Sequence, residues 1–131
     1  METKARILIA EDHVPTRRLL RNILSRAGHE VVCTVNGEGI VATVTSFRPH
    51  LVLLDVRMPK VDGFGAARAL LGLPADERPL IVLITAFSET WEGLEPLLTH
   101  VDGIIPKPFS HASLTAWVDK SLSAPPRPPS G

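Results

Sequence analysis

Cysteine is almost absent from this chain, and so is any excess of charge of one sign. Cys33 is the single cysteine among 131 residues, which excludes an internal disulfide framework and a zinc site built from cysteines. Lys plus Arg and Asp plus Glu both number 14. This balance argues against a surface that binds nucleic acid or an anionic membrane through overall charge. We therefore expect no direct partner among nucleic acids or membranes.

Long hydrophobic runs are also missing from the sequence. No apolar stretch approaches the roughly 20 residues that are needed to cross a bilayer. Residues 1–4 lead directly into a short apolar run, which is not the pattern of a signal peptide. Together with the lone cysteine, these features predict a soluble protein in a reducing, cytoplasmic setting.

The apolar residues that are present alternate between short runs, typical of buried strands, and helical spacing. The runs predict strands over 6–10, 30–35, 51–55, 80–84 and 103–105. Helical spacing or caps follow them and predict helices over 15–27, 38–47, 63–71, 88–98 and 110–122. Strands alternating with helices through right-handed crossovers predict an α/β fold, a three-layer (βα)5 arrangement with a doubly wound parallel sheet.

The length of the chain fits one domain, which we expect to cover residues 1–123. Residues 124–131 are rich in proline and cannot form a packed core, so they are predicted to be a disordered tail or a linker.

Polar side chains follow four of the predicted strands at the point where each strand ends. They are Glu11 with Asp12, then Asp55, Thr85 and Lys107. Because the carboxyl ends of parallel strands meet at one edge of a sheet, we expect these side chains to converge there. Crowded carboxylates need a cation, and Mg²⁺ prefers such oxygen ligands. A carboxylate so placed can accept a phosphoryl group, whose charge the lysine and the hydroxyl would stabilise.

The motifs at these strand ends carry a family resemblance. They are Glu11-Asp12, Asp55-x-x-Met58-Pro59-x-x-Asp62-Gly63, Thr85-Ala86 and Lys107-Pro108-Phe109. In this order the motifs resemble the receiver domain of two-component response regulators, and the resemblance spans about residues 5 to 122.

This resemblance implies a flavodoxin-like sheet of strand order 2-1-3-4-5, with residues 1–123 as the receiver domain. It implies that Asp55 accepts a phosphoryl group from a sensor histidine kinase or a phosphotransfer protein. It also implies that Mg²⁺, or Mn²⁺, is bound by Asp12, Asp55 and the backbone carbonyl of Arg57, with Glu11 assisting. In that family the residues corresponding to Thr85 and Lys107 respond to the phosphoryl group.

The implied output is a change at a protein-interaction surface that binds a downstream target or an output domain. The resemblance places that surface, and a possible homodimer contact, on the predicted fourth helix, fifth strand and fifth helix. Ile104 stands where the family commonly has an aromatic switch residue, and Pro96 interrupts the predicted fourth helix. Phe87 is expected to shield the acyl phosphate from water. Ile104 and Pro96 predict a modified route of signalling, and Phe87 predicts a longer lifetime of the acyl phosphate.

Three other functions remain as alternatives. A phosphatase of the haloacid dehalogenase type would need a second acid where Arg57 stands, and a flavodoxin-like cofactor binder would need a phosphate-binding loop where residues 11–15 carry two acids. A pseudo-receiver would bind a partner without control by phosphorylation. We expect a signalling switch that catalyses only its own phosphorylation and dephosphorylation, and not an enzyme that acts on other substrates.

Overall fold

The computed structural model describes residues 5–35, 37–56, 63–86 and 100–123. Strands and helices alternate through these residues in the order β1 (Arg6–Ala10), α1 (Val14–Arg26), β2 (Glu30–Thr34), α2 (Ile40–Phe47), β3 (Leu51–Asp55), α3 (Gly63–Leu71), a 3-10 turn (Ala75–Glu77), β4 (Leu80–Ala86), β5 (Gly103–Lys107) and α4 (His111–Ser123). Helix α4 is the fifth helix of the sequence-based prediction. The predicted helix over 88–98, the tail over 124–131 and the expectations for Arg57, Phe87 and Pro96 lie outside the described residues.

The strands form one parallel sheet in the order β2-β1-β3-β4-β5. This is the flavodoxin-like order that the resemblance implied, so the predicted fold class is confirmed. The four strands β1, β3, β4 and β5 are neighbours, and their carboxyl ends therefore lie side by side at one edge of the sheet.

Helices cover both faces of the sheet, and the side chains of β3 pack against the helices on both sides. Every residue of β3 is buried. Val52 and Leu54 pack in one core cluster with residues of α2 and α3, whereas Leu51 and Leu53 pack in the other cluster with residues of α1 and α4. Each buried Leu stabilises the fold by about 1.5–3 kcal/mol. This two-sided burial explains why the strand is a continuous apolar run rather than an alternating one.

The sequence of α1 predicts a proline in its first turn and an apolar stripe at helical spacing. Pro15 lies in that first turn, and Leu20, Ile23 and Leu24 form the buried stripe. The sequence of α4 predicts a cap at Ser110, which is confirmed because the Ser113 N–H donates to Ser110 Oγ at 3.0 Å and the Ser110 N–H donates to Ser113 Oγ at 2.9 Å.

Three predicted boundaries were wrong by two residues. Strand β4 ends at Ala86 instead of residue 84. Helix α2 begins at Ile40 instead of residue 38, because Gly39 has a φ of 75°, a left-handed conformation that a helix cannot include. Strand β5 continues through Pro106 to Lys107, although the sequence predicts its end at residue 105. Pro106 pairs with Thr85 of β4, and β5 has only that neighbour in the described sheet, a position at which strands accept proline.

No helix within the described ranges is both long and apolar enough to span a lipid bilayer.

Candidate functional site

Four of the predicted site residues converge at the carboxyl edge of the sheet. Lys107 Nζ lies 2.8 Å from Asp55 Oδ2 and 3.5 Å from Glu11 Oε1. One carboxylate oxygen from each of Glu11, Asp12 and Asp55 lies within 4.8 Å of the others. Glu11 and Asp55 are buried, whereas Asp12 is exposed. The cluster therefore has a buried base and one side that opens to solvent.

Thr85 lies on the same edge and is buried with only 4% of its surface exposed. It follows Ile84, which is the register partner of Asp55 across the β3–β4 pair. The structure thus places the hydroxyl-bearing residue one step past the acid on the neighbouring strand. Arg57, the other predicted ligand, lies outside the described residues.

The backbone around Asp55 is packed closely against the start of α3. The Val56 N–H donates to the Ile84 carbonyl at 3.1 Å, and the Gly63 N–H donates to the Val56 carbonyl at 3.0 Å. A Cβ atom added to Gly63 would lie 2.3 Å from the Asp55 carbonyl oxygen and 2.7 Å from the Val56 Cα. Only glycine allows this approach, so Gly63 sets how close α3 comes to the acid.

Hydrogen bonds of its backbone hold the loop after β1 against β2 and α1. The Glu11 N–H donates to the Thr34 carbonyl at 3.0 Å, and the Arg17 guanidinium donates to the Glu11 carbonyl at 3.2 Å. Arg17, Arg18, Arg21 and Arg26 lie largely away from the apolar stripe in the sequence of α1, which predicts a basic outer surface. That prediction missed the contact of Arg17 with the acidic loop. The available signal was its position in the first turns of α1, within reach of the preceding loop.

The pKa of Glu11 is raised from its ordinary value of 4.5 to about 8. Burial of the carboxyl is the main cause, followed by its hydrogen bond to Asp55 and the negative charge of Asp55, and the charge of Lys107 opposes them. The pKa of Lys107 is also raised: burial alone lowers it, but the hydrogen bond to Asp55 and the charges of Asp55 and Glu11 outweigh that effect. The cluster therefore retains a proton at neutral pH while the lysine stays charged.

This shift predicts a pH dependence of stability. We expect the free energy of unfolding of the Mg²⁺-free protein to fall as the pH rises from about 4.5 to about 8. Within that window the unfolded chain releases the Glu11 proton and the folded chain retains it, so rising pH favours unfolding. Urea denaturation at a series of pH values measures the effect. A Glu11→Gln variant should lack this part of the slope, and parallel curves for the two proteins would contradict the assignment.

The donor set fits a hard divalent cation. The Glu11 Oε1 atom is buried and, apart from its 3.5 Å ionic contact with Lys107 Nζ, has no hydrogen-bond partner within the part of the chain that the structure describes. Glu11, Asp12 and Asp55 each bring one carboxylate oxygen within 4.8 Å of the others, and three oxygen donors with one open side suit Mg²⁺, which retains several of its water ligands.

Comparisons with known proteins identify the family of the chain. A family model for the response regulator receiver domain matches residues 7–119. The probable transcriptional regulator ycf27 of Cyanophora paradoxa is 35% identical over 119 residues, which cover 91% of this chain and 48% of that protein. Response regulator MprA of Mycobacterium tuberculosis is 36% identical over 111 residues, which cover 85% of this chain and 47% of that protein. The chain thus spans about half the length of these curated relatives.

Solved structures show the same fold. The signal receiver domain of a signal transduction histidine kinase from Syntrophus aciditrophicus superposes with a TM-score of 0.81 at 31% identity, covering 91% of this chain and 90% of that chain. The chemotaxis response regulator CheY4 of Vibrio cholerae, at 23% identity, has a TM-score of 0.79 over 91% of this chain and 99% of that one, and supports the fold alone. The chain therefore belongs to the response regulator receiver domains of two-component systems.

Proposed function

We propose that this chain is a phosphorylation-controlled switch in which Asp55 accepts a phosphoryl group from a sensor histidine kinase or a phosphotransfer protein. One observation carries the proposal: Asp55 ends the central strand β3, and its carboxylate lies 2.8 Å from Lys107 Nζ beside two further acids. A buried carboxylate with a cation at hydrogen-bond distance is suited to act as a nucleophile toward an anionic group, because the cation offsets the repulsion between the two.

Phosphoryl transfer to Asp55 makes one bond to phosphorus and breaks another. A carboxylate oxygen of Asp55 forms a bond to phosphorus, and the P–N bond to the donor imidazole breaks with its electron pair left on nitrogen. The product is an acyl phosphate. Water then attacks phosphorus and the P–O bond to Asp55 breaks with its electron pair left on the carboxylate. The carboxylate is restored, and inorganic phosphate leaves with the water oxygen, while the water protons pass to the phosphate and to solvent. These two reactions are the whole of the proposed chemistry, so the protein transforms no other substrate.

The neighbouring residues stabilise the charge of the transferring group. Lys107 is positioned to donate to a phosphoryl oxygen because its ammonium already contacts the Asp55 carboxylate. The Thr85 hydroxyl, on the adjacent strand, would donate a hydrogen bond to another phosphoryl oxygen. Glu11, Asp12 and Asp55, with the Arg57 carbonyl, would bind Mg²⁺ or Mn²⁺. That ion supplies positive charge that offsets the negative charge of the phosphoryl oxygens.

Phosphorylation of Asp55 would change a partner-binding surface through Lys107. The phosphoryl oxygens would compete with the carboxylates of Asp55 and Glu11 for the Lys107 ammonium. Because Lys107 is the last residue of β5, a change in its contacts would affect the end of that strand. The face formed by the predicted helix over 88–98, β5 and α4 would then bind a downstream target, an output domain or a second copy. These curated relatives are about twice as long as this chain, and one is named a probable transcriptional regulator. Their length is consistent with a receiver domain over 1–123 that a linker at 124–131 joins to an output domain. The chain would act in the cytoplasm.

Acetyl phosphate with Mg²⁺ tests the proposal. We expect intact-mass spectrometry to show the addition of one phosphoryl group to the wild-type chain and none to Asp55→Asn, because the amide is not a nucleophile. Asp76→Asn, which changes an exposed acid on the 3-10 turn, is the matched control and should be modified like the wild type. A wild-type chain that gains no mass with acetyl phosphate, and whose tryptophan fluorescence does not change with beryllofluoride and Mg²⁺, would be a pseudo-receiver instead.

A further inference from the structure

We propose that Arg17 is a positioning residue for the divalent cation, because its guanidinium binds the backbone bend that brings Glu11 and Asp12 to one site. The inference rests on the proposed function, in that it concerns the metal site of the same receiver. Arg17 Nη1 lies 3.2 Å from the Glu11 carbonyl oxygen and 3.5 Å from the Asp12 carbonyl oxygen. One nitrogen thus faces two consecutive carbonyl groups, the second at a longer distance.

Consecutive acids need such a bend in order to share a ligand. In an extended strand, neighbouring side chains point to opposite faces of the sheet, so Glu11 and Asp12 could not meet if β1 simply continued. Strand β1 ends at Ala10, and the carboxylate oxygens of Glu11 and Asp12 lie within 4.8 Å of each other and of Asp55. The backbone has therefore turned at these two residues, and both carbonyls face Arg17.

The loop has fixed supports on its two sides, and Arg17 is one of them. The Glu11 N–H donates to the Thr34 carbonyl of β2, while the Arg17 N–H donates to the His13 carbonyl at 2.9 Å in the first turn of α1. Arg17 is half-buried, and Glu11 is fully buried, so the Glu11 carbonyl cannot exchange this donor for bulk water without movement of the loop. Asp12 is exposed, so its side chain is not held by surrounding core residues. The position of its carboxylate therefore depends on the conformation of the backbone at this residue.

The neighbouring arginine provides a matched control. Arg18 belongs to the same helix, carries the same charge and is exposed. Its side chain makes no hydrogen bond or ion pair with any other described residue. Arg17→Gln and Arg18→Gln therefore remove the same charge from adjacent positions, and only the first removes the contact with the acidic loop.

Calorimetric titration of the full chain with MgCl₂ tests the inference. We expect the dissociation constant for Mg²⁺ to rise roughly 10-fold in Arg17→Gln, as for other residues that orient metal ligands, and to stay close to wild type in Arg18→Gln. At saturating Mg²⁺ the rate of modification by acetyl phosphate should return to the wild-type value in Arg17→Gln, because all the carboxylates and Lys107 remain. This split between affinity and maximal rate is specific to a positioning role.

The outcomes separate this inference from the proposed function. A wild-type chain that binds no Mg²⁺ would overturn both. Wild-type binding with an unchanged Arg17→Gln variant, or with equal losses in Arg17→Gln and Arg18→Gln, would overturn only the positioning role. A Mg²⁺-free unfolding midpoint far lower in Arg17→Gln than in Arg18→Gln would make Arg17 a structural residue and would also refute it.

Discussion

Replacing Gly63 by alanine is expected to destabilise the protein by about 3 kcal/mol or more and to suppress phosphorylation of Asp55. The added Cβ would lie 2.3 Å from the Asp55 carbonyl oxygen, and the atoms that it meets belong to the backbone of β3, which no side-chain rotation can move away. Either α3 moves outward or the end of β3 shifts, and the Asp55 carboxylate loses its 2.8 Å contact with Lys107 in the second case. Urea denaturation and the mass change with acetyl phosphate measure the two effects.

Gly39→Ala is the control for this substitution. Gly39 has a φ of 75°, but a Cβ atom there would meet nothing within 4 Å. Its replacement should cost only the left-handed backbone strain of about 1–2 kcal/mol and leave the rate of Asp55 phosphorylation unchanged. Equal losses of stability in the two variants, with normal phosphorylation of both, would show that the close approach of α3 has no part in placing Asp55.

Replacing Lys107 by methionine is expected to slow phosphorylation by acetyl phosphate about 100-fold, the usual effect of removing one donor to a developing negative charge. Methionine retains a flexible side chain of similar length but has no ammonium. The buried carboxylates of Glu11 and Asp55 therefore lose their contacts with the positive charge of Lys107. The rate of mass increase at saturating Mg²⁺ measures the effect. Mg²⁺ should still bind, because its carboxylate ligands remain.

Lys120→Met is the matched control for the loss of a lysine. Lys120 is exposed on α4, where its ammonium lies 5.7 Å from the centre of the Trp117 ring. We expect its replacement to leave the rate of phosphorylation unchanged. If Lys107→Met reacted as fast as Lys120→Met, charge stabilisation by Lys107 would be excluded from the mechanism.

Much of the architecture was predictable because the local signals agree with the final fold. The apolar run of β3, the Pro15 start and buried stripe of α1 and the Ser110 cap of α4 all lie where the pattern placed them. The boundaries that failed depend on conditions that the local sequence does not state. Pro106 is accepted in β5 because of the position of that strand at the side of the described sheet, and α2 starts late because Gly39 adopts a left-handed conformation.

The candidate site divides in the same way. Strand ends at the carboxyl edge of a parallel sheet must converge, so Glu11, Asp12, Asp55 and Lys107 could be grouped from the sequence alone. The distances between them could not be predicted, since the 2.8 Å contact between Lys107 and Asp55 joins residues that are 52 positions apart. The raised pKa of Glu11 likewise arises from its burial in the assembled sheet.

The parallel α/β fold and the polar character of one sheet edge follow from the sequence, because periodicity and strand ends are local properties. The folded structure was needed to show which acids are buried, how closely Gly63 lets α3 approach Asp55, and that Arg17 contacts the acidic loop. These features depend on distances of a few ångströms between separate elements, and such distances are set by packing rather than by the pattern of any one segment.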